Sequence, residues 1–202
     1  MLAITGFSKQ AVARTTQNEF GRDRSDEALI RAIADGDKYA MRVLYTRHHA
    51  KVYRFILRLT DDVALAEDLV SEVFIAVWRQ AAGFKSKSKV STWLLAIARN
   101  KALSARTRHR DEQLDDKIAG SIADTADDAE AIIDRQDRYG VIRKCLSQLS
   151  NEHREVIDLI YYHEKSVDEV AQIIHVPVAT VKTRMFYARK CLGKRMAEIT
   201  GA

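Results

Sequence analysis

A chain of 202 residues with 47% apolar side chains can bury one ordinary domain or two small ones, and its single proline and eight glycines argue against a fibrous or loop-dominated protein. Its 33 lysines and arginines against 28 acids leave a net charge of only +5, so where the charge sits says more than its sum. Cys145, Cys191 and the six histidines stand at no metal-ligand spacing, and no stretch approaches the roughly 20 apolar residues that span a bilayer, so no metal, no cofactor, reduced thiols and a cytoplasmic location are expected.

Residues 1–24 carry no basic leader and read as a flexible tail. From Ser25 the pattern is helical. Ser25 or Asp26 is placed to cap a helix with Leu29, Ile30 and Ile33 inside, stopping near Gly36. A second helix turns Ala40, Met41, Leu44, Val52, Phe55, Ile56 and Leu59 inward. The clearest period follows: Ala66, Leu69, Val70, Val73, Phe74 and Val77 recur at helical steps, with Glu67, Asp68, Ser71, Glu72, Ile75 and Arg79 on the other face. Trp78 shares the spacing of Phe74 and Val77, which usually marks core. Gly83 ends this helix, residues 84–89 form a polar loop, and a helix from about Thr92 carries Trp93, Leu94, Ile97 and Ala98.

Residues 111–134 hold nine carboxylates against Lys117 alone, with little to bury, and read as an acidic linker. Beyond it, Val141, Ile142, Cys145, Leu146 and Leu149 make an apolar stripe. Ser150 caps a helix with Val156, Ile157, Leu159 and Ile160. Ser166 and Glu169 have the spacing of a capping box for a helix burying Val170, Ala171, Ile173 and Ile174. After His175-Val-Pro177 the last helix turns Val181, Met185, Ala188 and Leu192 inward. The expected fold is all-α, two small helical domains joined by a flexible acidic linker, with no strand.

Residues 79–110 and 177–197 each carry many cations and no acid. Two local positive surfaces on a small chain suit a polyanion held at two places, and DNA is the expected one. The C-terminal pair of short helices around a tight turn is the helix-turn-helix pattern, in which the second helix enters the major groove. Pro177 suits its start, where an amide would have no partner. Thr180, Lys182, Thr183, Phe186 and Tyr187 lie off the apolar stripe and reach base edges, while Arg184, Arg189 and Lys190 suit phosphates. In the other basic stretch Phe84 and Trp93 flank Lys85, Lys87 and Lys89. Trp93 is either core or a stacking platform for an unpaired base, and the lysines either bind phosphate or solvate the loop. The acidic face of Glu67, Asp68, Ser71 and Glu72 repels DNA and suits a basic protein partner.

These residues resemble the extracytoplasmic-function (ECF) sigma factors, the small alternative sigma subunits of bacterial RNA polymerase. The resemblance is carried by DEALI (26–30) with Gly36-Asp37, AEDLVSEVFIAVW (66–78) and STWLLAIARN (91–100), then LSNEHREV (149–156), SVDEVA (166–171) and VPVATVKTR (176–184), in the family's order. It implies a region 2 domain over residues 25–110, the acidic linker over 111–134 and a region 4 domain over 135–202. Glu67, Asp68, Ser71, Glu72 and Ile75 would dock on core polymerase. Residues 84–100 would capture a base flipped from the minus-ten element, Asn100 matching the family's reading asparagine, with Arg99, Arg106 and their basic neighbours holding the separated strand. Lys182, Thr183, Arg184 and Phe186 would read the minus-thirty-five duplex. The linker would thread the polymerase interior, and an anti-sigma factor is an expected partner. The role implied is promoter selection and melting, not catalysis. His175 stands where the family commonly has glycine, Ala179 where glycine or a charge is frequent, and Tyr187 where a basic residue is common. A freestanding helix-turn-helix regulator, or a sigma mimic that sequesters an anti-sigma factor, are the rival readings.

Overall fold

A computed structural model of the chain describes residues 24–115, 145–146 and 148–200; the expected tail (to residue 23), most of the linker and Val141 and Ile142 lie outside them. Among the described residues every regular element is helical. The chain divides into two compact units between Lys101 and Ala102, within the fourth helix and ahead of the change in composition after Arg110.

In the first unit the first three helices each begin on a side-chain cap, which satisfies amides that have no carbonyl four residues back. Ser25 Oγ accepts from the Ala28 N–H at the start of α1 (Asp26–Ala34). Gly36, at φ 88°, supplies the left-handed step that turns the chain into α2 (Lys38–Thr60). There Asp37 accepts from Tyr39 N at 2.8 Å and Ala40 N at 3.2 Å. Asp62 caps α3 (Val63–Gln80) through Leu65 N. One 3-10 turn, Ala81–Gly83, closes α3. The polar loop 84–89 then leads into α4 (Val90–Asp115), which starts two residues before the expected Thr92 and runs five residues into the expected linker.

α2 packs against both α1 and α3. Of the expected core, Leu29, Leu44, Phe55, Leu69 and Leu94 are all but sealed from solvent, each worth ~1.5–3 kcal/mol relative to exposure, whereas Met41, Leu59 and Ile97 are only half-buried. Asp26 fastens α1 to α2, its carboxylate lying 2.8 Å from Arg47 Nη1 and 2.6 Å from His48 Nε2. The hydrogen bond to His48 holds the Asp26 carboxyl below its ordinary value, against the opposing effect of burial and with further help from Arg47.

In the second unit Cys145 and Leu149 are buried, as their stripe requires. Ser150 caps α5 (Asn151–Ile157). This helix does not continue through Ile160: it opens into a π turn, Asp158–Tyr162, that buries Asp158. Asp158 Oδ2 lies 3.4 Å from His163 Nε2, both side chains almost fully enclosed. Nothing in the apolar periodicity foretells this pair. Glu164 then takes a left-handed conformation, φ 52°, before α6 (Val167–Ile174). Both halves of the capping box form, Glu169 N donating to Ser166 Oγ and Ser166 N to Glu169 Oε2. His175, at φ 54° and ψ 46°, ends α6 in the left-handed conformation usually given to glycine. Pro177 precedes α7 (Val178–Thr200), its carbonyl accepting from Thr180 and Val181. α7 packs on α5 and on α6 through Val181, Met185 and Ala188.

Candidate nucleic-acid and partner interfaces

Three surfaces gather the residues singled out in the sequence. On α3, Glu67, Asp68, Ser71 and Ile75 are exposed along one side of the helix. Glu72 is half-buried and differs from them, since Lys101 Nζ on α4 donates to its Oε2 at 2.7 Å. A partly exposed pair of this kind adds little stability, and it links α4 to α3. Trp78 corrects an expectation. Phe74 is core, yet Trp78 is 37% exposed beside Ile75 at 51%. A helix of this length has more apolar residues than one buried stripe can take up, and the surplus emerges on the acidic side. The face is therefore an apolar centre with carboxylates beside it, the composition of a protein contact rather than of a solvated helix.

The second surface lies on the loop and the start of α4. Lys85, Lys87 and Lys89 are all exposed, and Ser86 between them is left-handed at φ 53°. Phe84 and Trp93 touch, ring centroids 5.0 Å apart and tilted by 43°, each half-buried. Trp93 is thus neither sealed in the core nor standing alone; Phe84 backs it and leaves part of it open. Asn100 is exposed, and seven residues after Trp93 it returns to the same side of α4, about 10 Å along the axis. Arg99 is half-buried, and Arg106 and Arg108 are exposed further along α4. A ring and a carboxamide on one side of α4, next to the three exposed lysines of the loop, have the chemistry to hold an unstacked base and its phosphates.

The third surface is on α7. Thr183, Phe186, Tyr187 and Lys190 are exposed away from the buried stripe, and Lys182 and Arg189 are exposed on its flank. Thr180 and Arg184 are not: both are half-buried on the flank of the helix. Arg184 Nη2 lies 3.2 Å from Glu152 Oε2 in the first turn of α5, so this guanidinium, read from the sequence as a phosphate contact, is engaged within the unit. Phe186 and Tyr187 stand edge to face, centroids 5.4 Å apart. Among the described residues no cluster of histidine, cysteine and carboxylate side chains could hold a metal ion, and no helix is long and apolar enough to cross a membrane.

Comparison with known proteins gives the family of the chain. Residues 44–112 match the family model for sigma-70 region 2, and residues 139–192 that for sigma-70 region 4. The chain is 32% identical over 176 residues to the ECF RNA polymerase sigma factor SigL of Mycobacterium tuberculosis, covering 85% of this chain and 97% of that protein. It is 30% identical to the ECF RNA polymerase sigma factor SigW of Bacillus subtilis over 180 residues, 84% of this chain and 96% of the relative. Among solved structures it is similar to the sigma factor RpoE of Bartonella quintana in complex with the anti-sigma factor NepR. That likeness has a TM-score of 0.62 and 27% identity, over 75% of this chain and 93% of the other. CnrH, solved with the cytosolic domain of CnrY, shares the fold at a TM-score of 0.63 and 22% identity, over 87% of this chain and 99% of that one.

Proposed function

Because the chain belongs to the ECF RNA polymerase sigma factors, we propose that it binds core polymerase through α3, opens promoter DNA with the loop and α4, and reads upstream duplex with α7. It supplies specificity to a catalyst and is not one itself, and its place is the cytoplasm, where polymerase works. In this reading region 2 takes residues 25–110 and region 4 residues 135–202, supported by the family-model matches over 44–112 and 139–192, with the acidic segment between them as tether.

The observation that carries the reading is the separation of chemistries. An acidic and apolar α3 face suits a basic protein groove and repels DNA, whereas the cations sit on the loop, on α4 and on α7. A freestanding regulator would have no use for the first face. Glu67, Asp68, Ser71 and Ile75 form the docking contact together with Trp78, while Glu72 braces Lys101 behind it. Melting is driven by capture: Trp93 and Phe84 offer a stacking wall and Asn100 the hydrogen bonds that offset the few kcal/mol of unstacking a base. Lys85, Lys87, Lys89 and Arg106 attract the phosphates of the opened strand. The RpoE relative was solved bound to an anti-sigma factor, which supports a similar inhibitor for this chain, one that covers the same docking face.

Purified chain mixed with core polymerase is expected to direct run-off transcription from members of a promoter library. Asn100→Ala is expected to lower open-complex formation about tenfold, the loss of one good base contact, with association to core polymerase unchanged. If wild type does not associate with core polymerase, the assignment is wrong; if Asn100→Ala impairs association and melting equally, Asn100 is structural.

A further inference from the structure

We propose that the middle of the exposed face of α7 reads thymine 5-methyl groups in the major groove, with Thr183 and Phe186 as the specificity-determining contacts. The inference rests on the promoter-reading role above and goes beyond it by naming what is read.

At 100° per residue, Ala179, Thr183, Phe186 and Lys190 fall along the line opposite the buried Val181/Met185/Ala188 stripe. Three of these four offer carbon. Ala179 presents a methyl. Thr183 donates its only hydroxyl proton to the Ala179 carbonyl at 3.0 Å, so it has none left for a base acceptor, and its methyl is the group remaining to make contact. Phe186 is 61% exposed and has no polar atom, and its edge-to-face contact with Tyr187 settles the ring in place before any ligand arrives.

What is missing from the helix matters as much. Residues 177–197 contain no Asn, Gln, Asp or Glu, so the usual bidentate reader of adenine and the usual acceptor from cytosine are both absent. Lys182 remains for guanine. The thymine methyl is the one apolar group that a base pair shows in the major groove, and it is what an alanine, threonine-methyl and phenyl surface can recognise. Lys182 and Arg189 flank this strip and Lys190 ends it with positive charge, which fits the occupant as duplex DNA rather than an apolar protein surface.

The test uses polymerase reconstituted with the full chain. Its promoter is first selected from a random library, and each thymine of the upstream element is then replaced by deoxyuridine, which removes the methyl and nothing else. Wild type is expected to lose roughly three- to fivefold in affinity at one or two positions, the worth of one buried apolar carbon. Thr183→Val, which keeps methyl groups, should preserve that sensitivity. Thr183→Ser, which keeps the hydroxyl, should abolish it at one position, and Phe186→Ala at the other, with the salt dependence of binding unchanged in all three. A selected element without thymine on either strand, indifference of wild type to every uracil, or a Thr183→Ser protein that still discriminates would overturn the proposal. Methyl-indifferent binding by a polymerase that still transcribes removes this inference alone, whereas failure to select any promoter removes the sigma-factor reading with it.

Discussion

His175 is held at φ 54° and ψ 46°, where a β-carbon crowds the following carbonyl, at a cost of ~1–2 kcal/mol. The position is required by the turn between α6 and α7. With only Val176 and Pro177 left before α7, the chain must reverse at once, and a left-handed residue does so while its N–H bonds back to the Ala171 carbonyl. Glycine would meet the same demand without the crowding, though it has more freedom to lose on folding. His175→Gly is therefore expected to stabilise the protein by about 0.5–1 kcal/mol, measured by chemical denaturation; a destabilised variant would mean that the imidazole makes a contact worth more than the strain. The substitution of histidine for glycine is legible in the sequence. Its conformation is not, because asparagine-like tolerance of the left-handed region is a matter of degree, and only the short turn compels it.

At the scale of elements, most helices could be read directly because each carries its own cap and one apolar stripe. Ser25, Ser150 and the Ser166–Glu169 box all act as their spacing indicates. The failures occur where a helix ends by tertiary demand. α5 gives way to a π turn after Ile157, and the buried Asp158–His163 pair lies at this widening; periodicity continues past the point and hides it. Trp78 fails for a related reason, since the pattern tells which residues can be core but not how much neighbour is available to cover them. The joint between α1 and α2 gives a pH prediction. Asp26 is held below its ordinary value by His48 and Arg47, so its contribution to stability is complete above the unfolded value near 3.8 and is lost as pH falls through the lower folded value. Asp26→Asn is expected to cost about 1–2 kcal/mol near neutrality, and melting temperatures of variant and wild type should converge as the solution is acidified below about pH 4. A gap that persists undiminished in strong acid would show that geometry, not charge, makes the joint.

Across the whole molecule, a modest +5 conceals surfaces of opposite character, and under the proposed function this sorting directs protein and DNA to different faces. Binding to duplex should weaken steeply with salt, and the slope can separate cations that face the ligand from those engaged at home. Lys190→Ala is expected to reduce the slope of log K against log salt by about 0.9, one phosphate contact, whereas Arg184→Ala, whose guanidinium is already held by Glu152, should change it less. Equal reductions would mean that Arg184 leaves Glu152 on binding DNA.

The sequence alone determined the helical class, the serine caps, the placing of acid on α3 and cation on the loop, α4 and α7, and the family, because all of these are properties of neighbours along the chain. Tertiary structure decided the rest: that Phe84 backs Trp93, that Trp78 is open, that Glu72 belongs to Lys101 and Arg184 to Glu152. Each of these depends on which side chains from distant segments meet. Helical spacing assigns a residue to a face, but only packing decides what that face touches.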